Sequence, residues 1–301
     1  LALPPELIPA RRFSKTVPKH QQVASFSSLI AGLPEDLPDH DGIEANDNTP
    51  AEFDSRRDVH GFPRGAGPGS CLHAILENLD FQQNDQAALQ QLVEEKLLLY
   101  GIDLQWREVV AQWMQVLLTT PLNETGLHLG QIPASQRLNE MAFQFPVSAF
   151  NTRQISQLAE RTRFSHAPGL IAGLGGLGRD SVDGYLKGYI DLVFEFQGQY
   201  FLADYKSNWL GIDYPAYHQQ ALTEAMASHH YPLQYVLYTL ALHRYLRLRI
   251  PDYDYEKQFG GVFYLFLRGM RPQGEPGMGI VQERPPVEFI NAMDEMIGEP
   301  P

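Results

Sequence analysis

The feature that most constrains this chain is an alternating polar and apolar pattern over residues 186–207, interrupted by a Gln-Gly pair at 197–198. Alternation with period two indicates strands that bury one face, and a Gln-Gly pair suits a two-residue hairpin turn. Such a turn places Asp191 opposite Asp204, with Lys206 on the same face because it lies two residues beyond Asp204. The pattern therefore predicts a hairpin with two carboxylates and an ammonium together.

The other face of this hairpin is predicted to be apolar and buried, and a register slip of one residue would exchange the two faces. Its residues are Ile190, Leu192, Phe194, Phe196, Phe201, Ala203 and Tyr205. Two carboxylates about 5 Å apart repel each other unless a positive group lies between them. Because Asp is disfavoured in strands, a site for Mg²⁺ or Mn²⁺ is favoured over an exposed face with incidental charges.

The rest of the chain predicts a mixed sheet flanked by helices, an α/β arrangement. A helix follows Ser70 as its N-cap, strands cover 140–147 and 261–267, and a tail rich in Pro and Gly follows. Further helices are predicted over 86–100, 105–118, 215–228 and 233–248.

The charge of the chain is concentrated in one segment. The formal net charge is −13, and residues 34–54 carry eight acidic side chains with no Lys or Arg. Residues 1–60 are therefore predicted to be a linker and an acidic, partly disordered segment, and 61–301 the folded domain. A net acidic chain lacks the usual basic footprint of nucleic-acid binders, so any binding to DNA is expected to be weak and to depend on metal and on partners.

Composition limits the remaining classes of protein. Cys71 is the single cysteine, which rules out an internal disulfide and fits a reducing compartment. No apolar stretch approaches the ~20 residues that span a bilayer, so no membrane association is expected.

Several motifs together resemble those of RecB-type nucleases, which belong to the PD-(D/E)xK superfamily with a restriction-endonuclease-like core. The strongest matches are 188–191, 204–211, 234–242 and 259–269, and further ones are 62–65, 72–73 and 138–141. The resemblance implies a divalent metal held by His73, Asp191, Asp204 and the carbonyl of Tyr205. Lys206 matches the lysine that orients or activates the attacking water, so Asp191, Asp204 and Lys206 are the implied catalytic group. The implied metal is Mg²⁺, and Mn²⁺ or Ca²⁺ could occupy the same site.

Four more residues are implied to lie beside the metal or to contact substrate, each with an ordinary alternative. Glu77 follows His73 by one helical turn and could equally be a salt-bridge partner or solvated. Glu140 matches the acid of the first core strand, or is a solvated strand-end residue. Gln234 and Tyr238 share one helix face, beside the metal or as a polar stripe on a core helix.

The resemblance implies a Mg²⁺-dependent exo- and endonuclease that hydrolyses DNA within a bacterial helicase–nuclease for double-strand break repair by homologous recombination. Implied partners are DNA ends, RecC, RecD and the helicase portion of RecB, with RecA loaded onto the product strand. The implied location is the cytoplasm, at the nucleoid. The alternative from another class is a nuclease-fold module that binds DNA or acts as a scaffold without catalysis.

Two other patterns are weaker. Residues 173–178 have the G-x-G-x-x-G spacing of dinucleotide-binding loops, but no strand precedes them and no helix pattern follows. This favours a flexible loop over the nucleotide-binding loop of an oxidoreductase. A basic stretch with His243, Arg244, Arg247 and Arg249 could contact phosphates or be a solvated helix end.

Overall fold

The computed structural model describes residues 22–25, 56–82, 85–150, 152–175, 182–274 and 277–298. The strands are β1 (Gln22–Ser25), β2 (Arg137–Phe150), β3 (Val182–Phe196), β4 (Gln199–Lys206), β5 (Phe259–Phe266) and β6 (Ile280–Glu283). The helices are α1 (Ala66–Asn78), α2 (Gln86–Leu99), α3 (Arg107–Thr119), α4 (Thr152–Arg161), α5 (Leu170–Gly175), α6 (Gln219–Ser228), α7 (Tyr231–Arg249), α8 (Tyr255–Gln258) and α9 (Val287–Ile297).

These strands form one mixed sheet in the order β1-β3-β4-β5-β6, with β2 paired to β3. β1 runs parallel to β3 and β4 runs parallel to β5, whereas the β2–β3, β3–β4 and β5–β6 pairs are antiparallel. The α/β prediction of a mixed sheet flanked by helices is confirmed.

Helices cover both faces of the sheet and bury two separate apolar clusters. The α1–α3 layer packs on one face, where Phe194, Phe201 and Phe263 stack in parallel. The opposite layer is centred on α7, a helix buried along nearly all its length, and also includes α4, α6 and α9. A central strand buried on both faces is continuously apolar, which explains the uninterrupted hydrophobic run in β5.

The predicted hairpin is present with the predicted turn and register. Gln197 and Gly198 have φ values of 53° and 81°, as a primed two-residue turn requires, and Phe194 lies opposite Phe201. The prediction for Ile190 is wrong: Ile190 packs in the α7 layer with Val193, whereas Leu192 packs in the α1–α3 layer. Alternation therefore changes phase just before Leu192.

The prediction that Ser70 caps the first helix is wrong, because α1 begins at Ala66 after Gly65, which has φ 99°. Pro68 fits in the first turn, where backbone N–H groups have no intrahelical acceptor. Gly69 lies close to the end of β4, since a Cβ there would be 2.9 Å from Ser207 Oγ. The other predicted helices are present, with ends shifted by up to four residues.

The tail contains more structure than its Pro and Gly content indicates, namely β6 and α9. Asp294 of α9 binds both Arg244 and Arg247 of α7, so the favoured partner of this basic stretch is protein rather than phosphate. The glycine segment is also helical through Gly175 and follows a helix rather than a strand, unlike a dinucleotide-binding loop.

The predicted acidic segment, residues 34–54, lies outside the described residues, and so do residues 1–7 of the predicted linker. Within the predicted linker region, β1 pairs with β3 over four residues. Among the described helices, none has both the length and the apolar composition needed to cross a bilayer.

Candidate metal centre

The candidate site is built on a local irregularity shared by β2 and β3. The ladder pairs Asn139 with Leu192 and Met141 with Ile190, which puts Glu140 opposite Asp191. The Asn139 side chain reaches the α1 layer, while Met141 packs in the α7 layer. Because both strands change phase here, and Glu140 adopts φ 50°, these two carboxylates leave the regular alternation of the sheet.

His73 joins these two carboxylates from α1. The ligand atoms of His73, Glu140 and Asp191 all lie within 4.8 Å of one another, and His73 Nδ1 is 3.4 Å from Asp191 Oδ2. The α1 helix is held beside β2 because the Asn139 amide donates to the carbonyl oxygen of Glu77. We call His73, Glu140 and Asp191 the outer half of the site.

The two outer carboxyls have shifted pKa values in opposite directions. Burial and then the charge of Asp191 raise the pKa of Glu140 to about 7. For Asp191, burial acts to raise the pKa, but His73, Lys206 and the Tyr205 N–H together lower it below its usual value. That N–H donates to Asp191 Oδ2 at 2.7 Å. Asp191 is therefore the outer carboxyl that stays ionised most readily.

The inner half of the site consists of Asp204 and Lys206, both on regular β4. Lys206 Nζ lies 2.6 Å from Asp204 Oδ2, and the two side chains are 2% and 3% exposed, respectively. The ammonium also sits over the ring of Tyr231, 4.0 Å from its centroid. Burial raises the pKa of Asp204 to about 7, Lys206 acts to lower it, and Asp191 raises it further.

A buried polar network lies under the inner half. The Tyr264 hydroxyl donates to Gln234 Oε1 at 2.8 Å, and Gln234 Nε2 donates to the Tyr238 hydroxyl at 3.1 Å. Tyr264 is next to Asp204 in the β4–β5 ladder. Tyr238 also packs near Gly188, where a Cβ would be 2.6 Å from the ring of Phe143. Gln234 and Tyr238 thus lie in the layer beneath the site.

Arg268 ties the loop before α1 to the end of β4. Its buried guanidinium donates to the carbonyl oxygens of Phe62 (3.0 Å), Pro63 (2.9 Å) and Ser207 (3.0 Å), and to that of Val59. Because the loop leads into the helix of His73 and Ser207 follows Lys206, one side chain connects the supports of both halves.

The structure brings most of the predicted site residues together. His73, Glu140 and Asp191 form one cluster, Asp204 and Lys206 form the adjoining pair, and Gln234 and Tyr238 lie beneath. Glu77 is exposed on α1, and its carboxylate contributes to the raised pKa of Glu140. Tyr205 contacts Asp191 through its amide, and its carbonyl as a ligand stays a prediction.

Sequence reasoning missed the support from Arg268, Tyr231 and Tyr264. The role of Arg268 could have been predicted from sequence. It directly follows seven residues of a predicted buried strand, and a buried arginine needs several hydrogen-bond acceptors. No sequence pattern distinguishes Tyr231 and Tyr264 from ordinary aromatic residues of the core.

The donor set fits a hard divalent cation. Carboxylate oxygens with one imidazole suit Mg²⁺ and Mn²⁺, and the three outer ligand atoms already converge. The raised pKa values of Glu140 and Asp204 show that the site holds more carboxyl groups than it can readily ionise at neutral pH. A bound cation would favour their ionised forms.

Comparison with known proteins agrees with this arrangement. A profile of the PD-(D/E)XK nuclease superfamily matches residues 50–298. The chain is 46% identical to RecBCD enzyme subunit RecB of Escherichia coli over 278 residues, covering 91% of this chain and 23% of that protein. It is 37% identical to the same subunit of Haemophilus influenzae, covering 86% and 21%, and 35% identical to that of Mycobacterium tuberculosis, covering 78% and 24%.

The chain thus spans less than a quarter of the length of these relatives. The matched region nevertheless contains the whole sheet from β2 to β6 and both halves of the site. From the profile match, the sheet and the relatives together, this chain belongs to the PD-(D/E)XK nuclease superfamily, in the group of RecB nuclease domains.

Proposed function

We propose that this chain is a Mg²⁺-dependent nuclease that hydrolyses the phosphodiester bonds of DNA. The observation that carries the proposal is the convergence of His73, Glu140 and Asp191 within 4.8 Å, next to the buried Asp204–Lys206 pair. Membership of a nuclease superfamily supports the same reaction. A bound divalent cation can polarise a phosphoryl oxygen and activate a water, as metal-assisted hydrolysis requires, and Lys206 adds a positive charge beside it.

The proposed ligands are His73, Asp191, Asp204 and the carbonyl of Tyr205, and the short distances in the outer half add Glu140 as a candidate. When bound, the cation would polarise a phosphoryl oxygen and lower the pKa of a coordinated water. The Tyr205 N–H orients the Asp191 carboxylate from the protein side, so this ligand is held in place before substrate arrives.

Lys206 is proposed to orient the attacking water. Its Nζ atom is fixed by Asp204 on one side and by the ring of Tyr231 on another. An ammonium carries N–H donors that suit the positioning of a water, and a positive charge that suits the charge developing on the phosphoryl group. Gln234 and Tyr238 are proposed to hold the aromatic layer beneath it.

The wider role is proposed from the relatives, which are named as subunits of the RecBCD enzyme. We infer that the chain acts as the cutting module of a bacterial helicase–nuclease in double-strand break repair by homologous recombination. Proposed partners are RecC, RecD, the helicase portion of RecB and RecA on the product strand, at the nucleoid in the cytoplasm.

The test measures cleavage of linear single- and double-stranded DNA with Mg²⁺, with EDTA, and for Asp191→Asn. We expect cleavage with Mg²⁺, none with EDTA, and a loss of about a thousandfold or more in the variant, since several kcal/mol of transition-state stabilisation depend on the ligand. Asp191→Asn is chosen because the change keeps the shape of the side chain and leaves the buried Asp204–Lys206 pair intact.

Glu108→Gln is the matched control, since Glu108 is an exposed carboxylate in the first turn of α3. Its cleavage rate should equal that of the unmodified chain. Cleavage in EDTA would overturn the metal role. A folded chain that binds DNA but cleaves neither substrate would support the alternative of a binding module.

A further inference from the structure

Tyr189 is an aromatic side chain left open to solvent beside the site. It lies within β3, two residues from Asp191, yet 59% of its surface is exposed. Two residues of a strand span about 6–7 Å. The backbone positions of Tyr189 and Asp191 are therefore close together, and Tyr189 lies beside the outer half.

The ring lies on the sheet face that belongs to the α1 layer. Leu186 and Ile190 pack in the α7 layer, and the position of a Cβ on Gly188 points to Phe143 and Tyr238 of that same layer. Since neighbouring residues in a strand point to opposite faces, Tyr189 projects from the other face, the side from which α1 presents His73. Lys187 shares this face.

The neighbours of Tyr189 leave room above its ring. On β2 the residue opposite is Ala142, and Gln144 lies opposite Lys187; both are exposed. On the other edge, β1 pairs with β3 at 184–187 and β4 pairs with it at 192–196. Within the described part of the chain, residues 188–190 pair with β2 only, so Tyr189 lies where the sheet opens between two strands.

Charge alone is a poor means of holding a nucleic acid here. The chain has 36 acidic and 23 basic residues, and two of the acidic residues, Glu140 and Asp191, lie in the outer half, where a phosphate would lie. Contacts to phosphates supply most non-specific affinity in basic proteins. An acidic chain needs another contribution, and stacking of bases on an aromatic ring is independent of charge.

We propose that Tyr189 is a stacking surface for a base of single-stranded DNA next to the bond to be cut. This inference rests on the proposed function, because it takes the outer half as the place of cleavage. The occupant is a single strand because a base in a duplex already stacks on both its faces, whereas an unpaired base can stack on a side chain. Tyr189 then positions the strand, and the carboxylates and Lys206 act on the adjacent phosphate.

The test measures binding of a fluorescein-labelled oligodeoxythymidylate in EDTA by fluorescence anisotropy, for the unmodified chain, Tyr189→Ala and Tyr189→Phe. We expect Tyr189→Ala to weaken binding about ten- to a hundredfold and Tyr189→Phe to bind like the unmodified chain. Leu248→Ala is the control for loss of an exposed apolar side chain, since Leu248 is 85% exposed at the end of α7, and its binding should not change.

A strand of abasic residues with the same number of phosphates separates stacking from charge. The unmodified chain and Tyr189→Ala should bind this strand equally weakly. Equal binding of oligodeoxythymidylate by the unmodified chain and Tyr189→Ala would overturn the proposal, as would an equal loss on the abasic strand. A failure of the unmodified chain to bind oligodeoxythymidylate at all would also overturn it.

Cleavage with Mg²⁺ is measured separately, so that the two proposals can fail independently. Binding that depends on Tyr189 without cleavage would remove the nuclease function and keep the stacking surface. Cleavage together with binding that does not depend on Tyr189 would support the nuclease function and overturn the stacking surface. The unfolding midpoint of Tyr189→Ala should match that of the unmodified chain, because the replaced side chain is largely exposed.

Discussion

The outer and inner halves of the site differ in how they are built. The inner pair, Asp204 and Lys206, lies on a regular strand and is closed off from solvent, with carboxylate and ammonium 2.6 Å apart. The outer half draws one residue from each of α1, β2 and β3, at a point where two strands leave their regular alternation. Its Asp191 side chain is still 12% exposed.

The difference indicates where a cation enters. The inner half contains its own counter-charge, so it has no excess of negative charge without a ligand. The outer half has two carboxylates and one imidazole, an excess of negative charge that a cation would balance. A regular strand thus preserves a buried ion pair, while an irregular one brings distant ligands together near the surface.

The largest effect should come from breaking the inner pair with Lys206→Met. The variant leaves a carboxyl buried without its partner, which costs about 3–5 kcal/mol in other buried pairs. We expect a loss of that order in the free energy of unfolding, measured in urea, together with loss of cleavage.

Asp204→Asn placed in the Lys206→Met chain should recover most of this stability, because an amide then replaces the buried carboxyl that has lost its partner, but none of the cleavage. A cost below about 1 kcal/mol for Lys206→Met would mean that the pair behaves like a solvated one, and the division into two halves would fail.

A smaller, pH-dependent effect is expected in the outer half for Glu140→Gln without metal. The folded state raises the pKa of Glu140 from 4.5 to about 7, so it binds a proton more tightly than the unfolded chain does. The free energy of unfolding should therefore fall between about pH 5 and pH 8, with a contribution of about 1–3 kcal/mol from this group.

Glu140→Gln should remove this part of the dependence of the unfolding free energy on pH, leaving the part due to Asp204. Added Mg²⁺ should also reduce the slope, because it favours the ionised carboxyl. An unchanged slope in Glu140→Gln would show that Glu140 is not coupled to the outer half.

The smallest effect concerns the network beneath the inner half, in Tyr238→Phe. The variant removes the acceptor of the Gln234 amide, which should cost about 1–2 kcal/mol of stability with little change in Mn²⁺ affinity. Tyr245→Phe, on the same helix and half-buried, is the control. A tenfold loss of Mn²⁺ affinity in Tyr238→Phe would mean that the network supports the outer half directly.

The hairpin and the inner half could be predicted from sequence because their determinants are local. A two-residue turn at Gln197 and Gly198 sets the register, and alternation on regular β4 then puts Asp204 and Lys206 on one face. The family motifs added His73, which no local pattern distinguishes from other histidines on leucine-rich helices.

The geometry of the outer half could not be predicted from sequence in the same way, because it depends on a backbone conformation that no sequence pattern indicates. Glu140 has φ 50°, which is uncommon for a residue other than glycine. The same phase change puts Ile190 on the face opposite to the one predicted. The ion-pair partner of Arg244 and Arg247 could not be predicted either, since Asp294 lies about fifty residues further along the chain.

The four carbonyl contacts of Arg268 have a consequence for biosynthesis. The loop that leads into the helix of His73 is translated at least 205 residues before the side chain that fastens it. A chain still on the ribosome, or one truncated before β5, lacks this fastening and also lacks the strand that flanks Asp204 and Lys206. We therefore expect the site to be completed late, after nearly the whole domain has emerged from the ribosome.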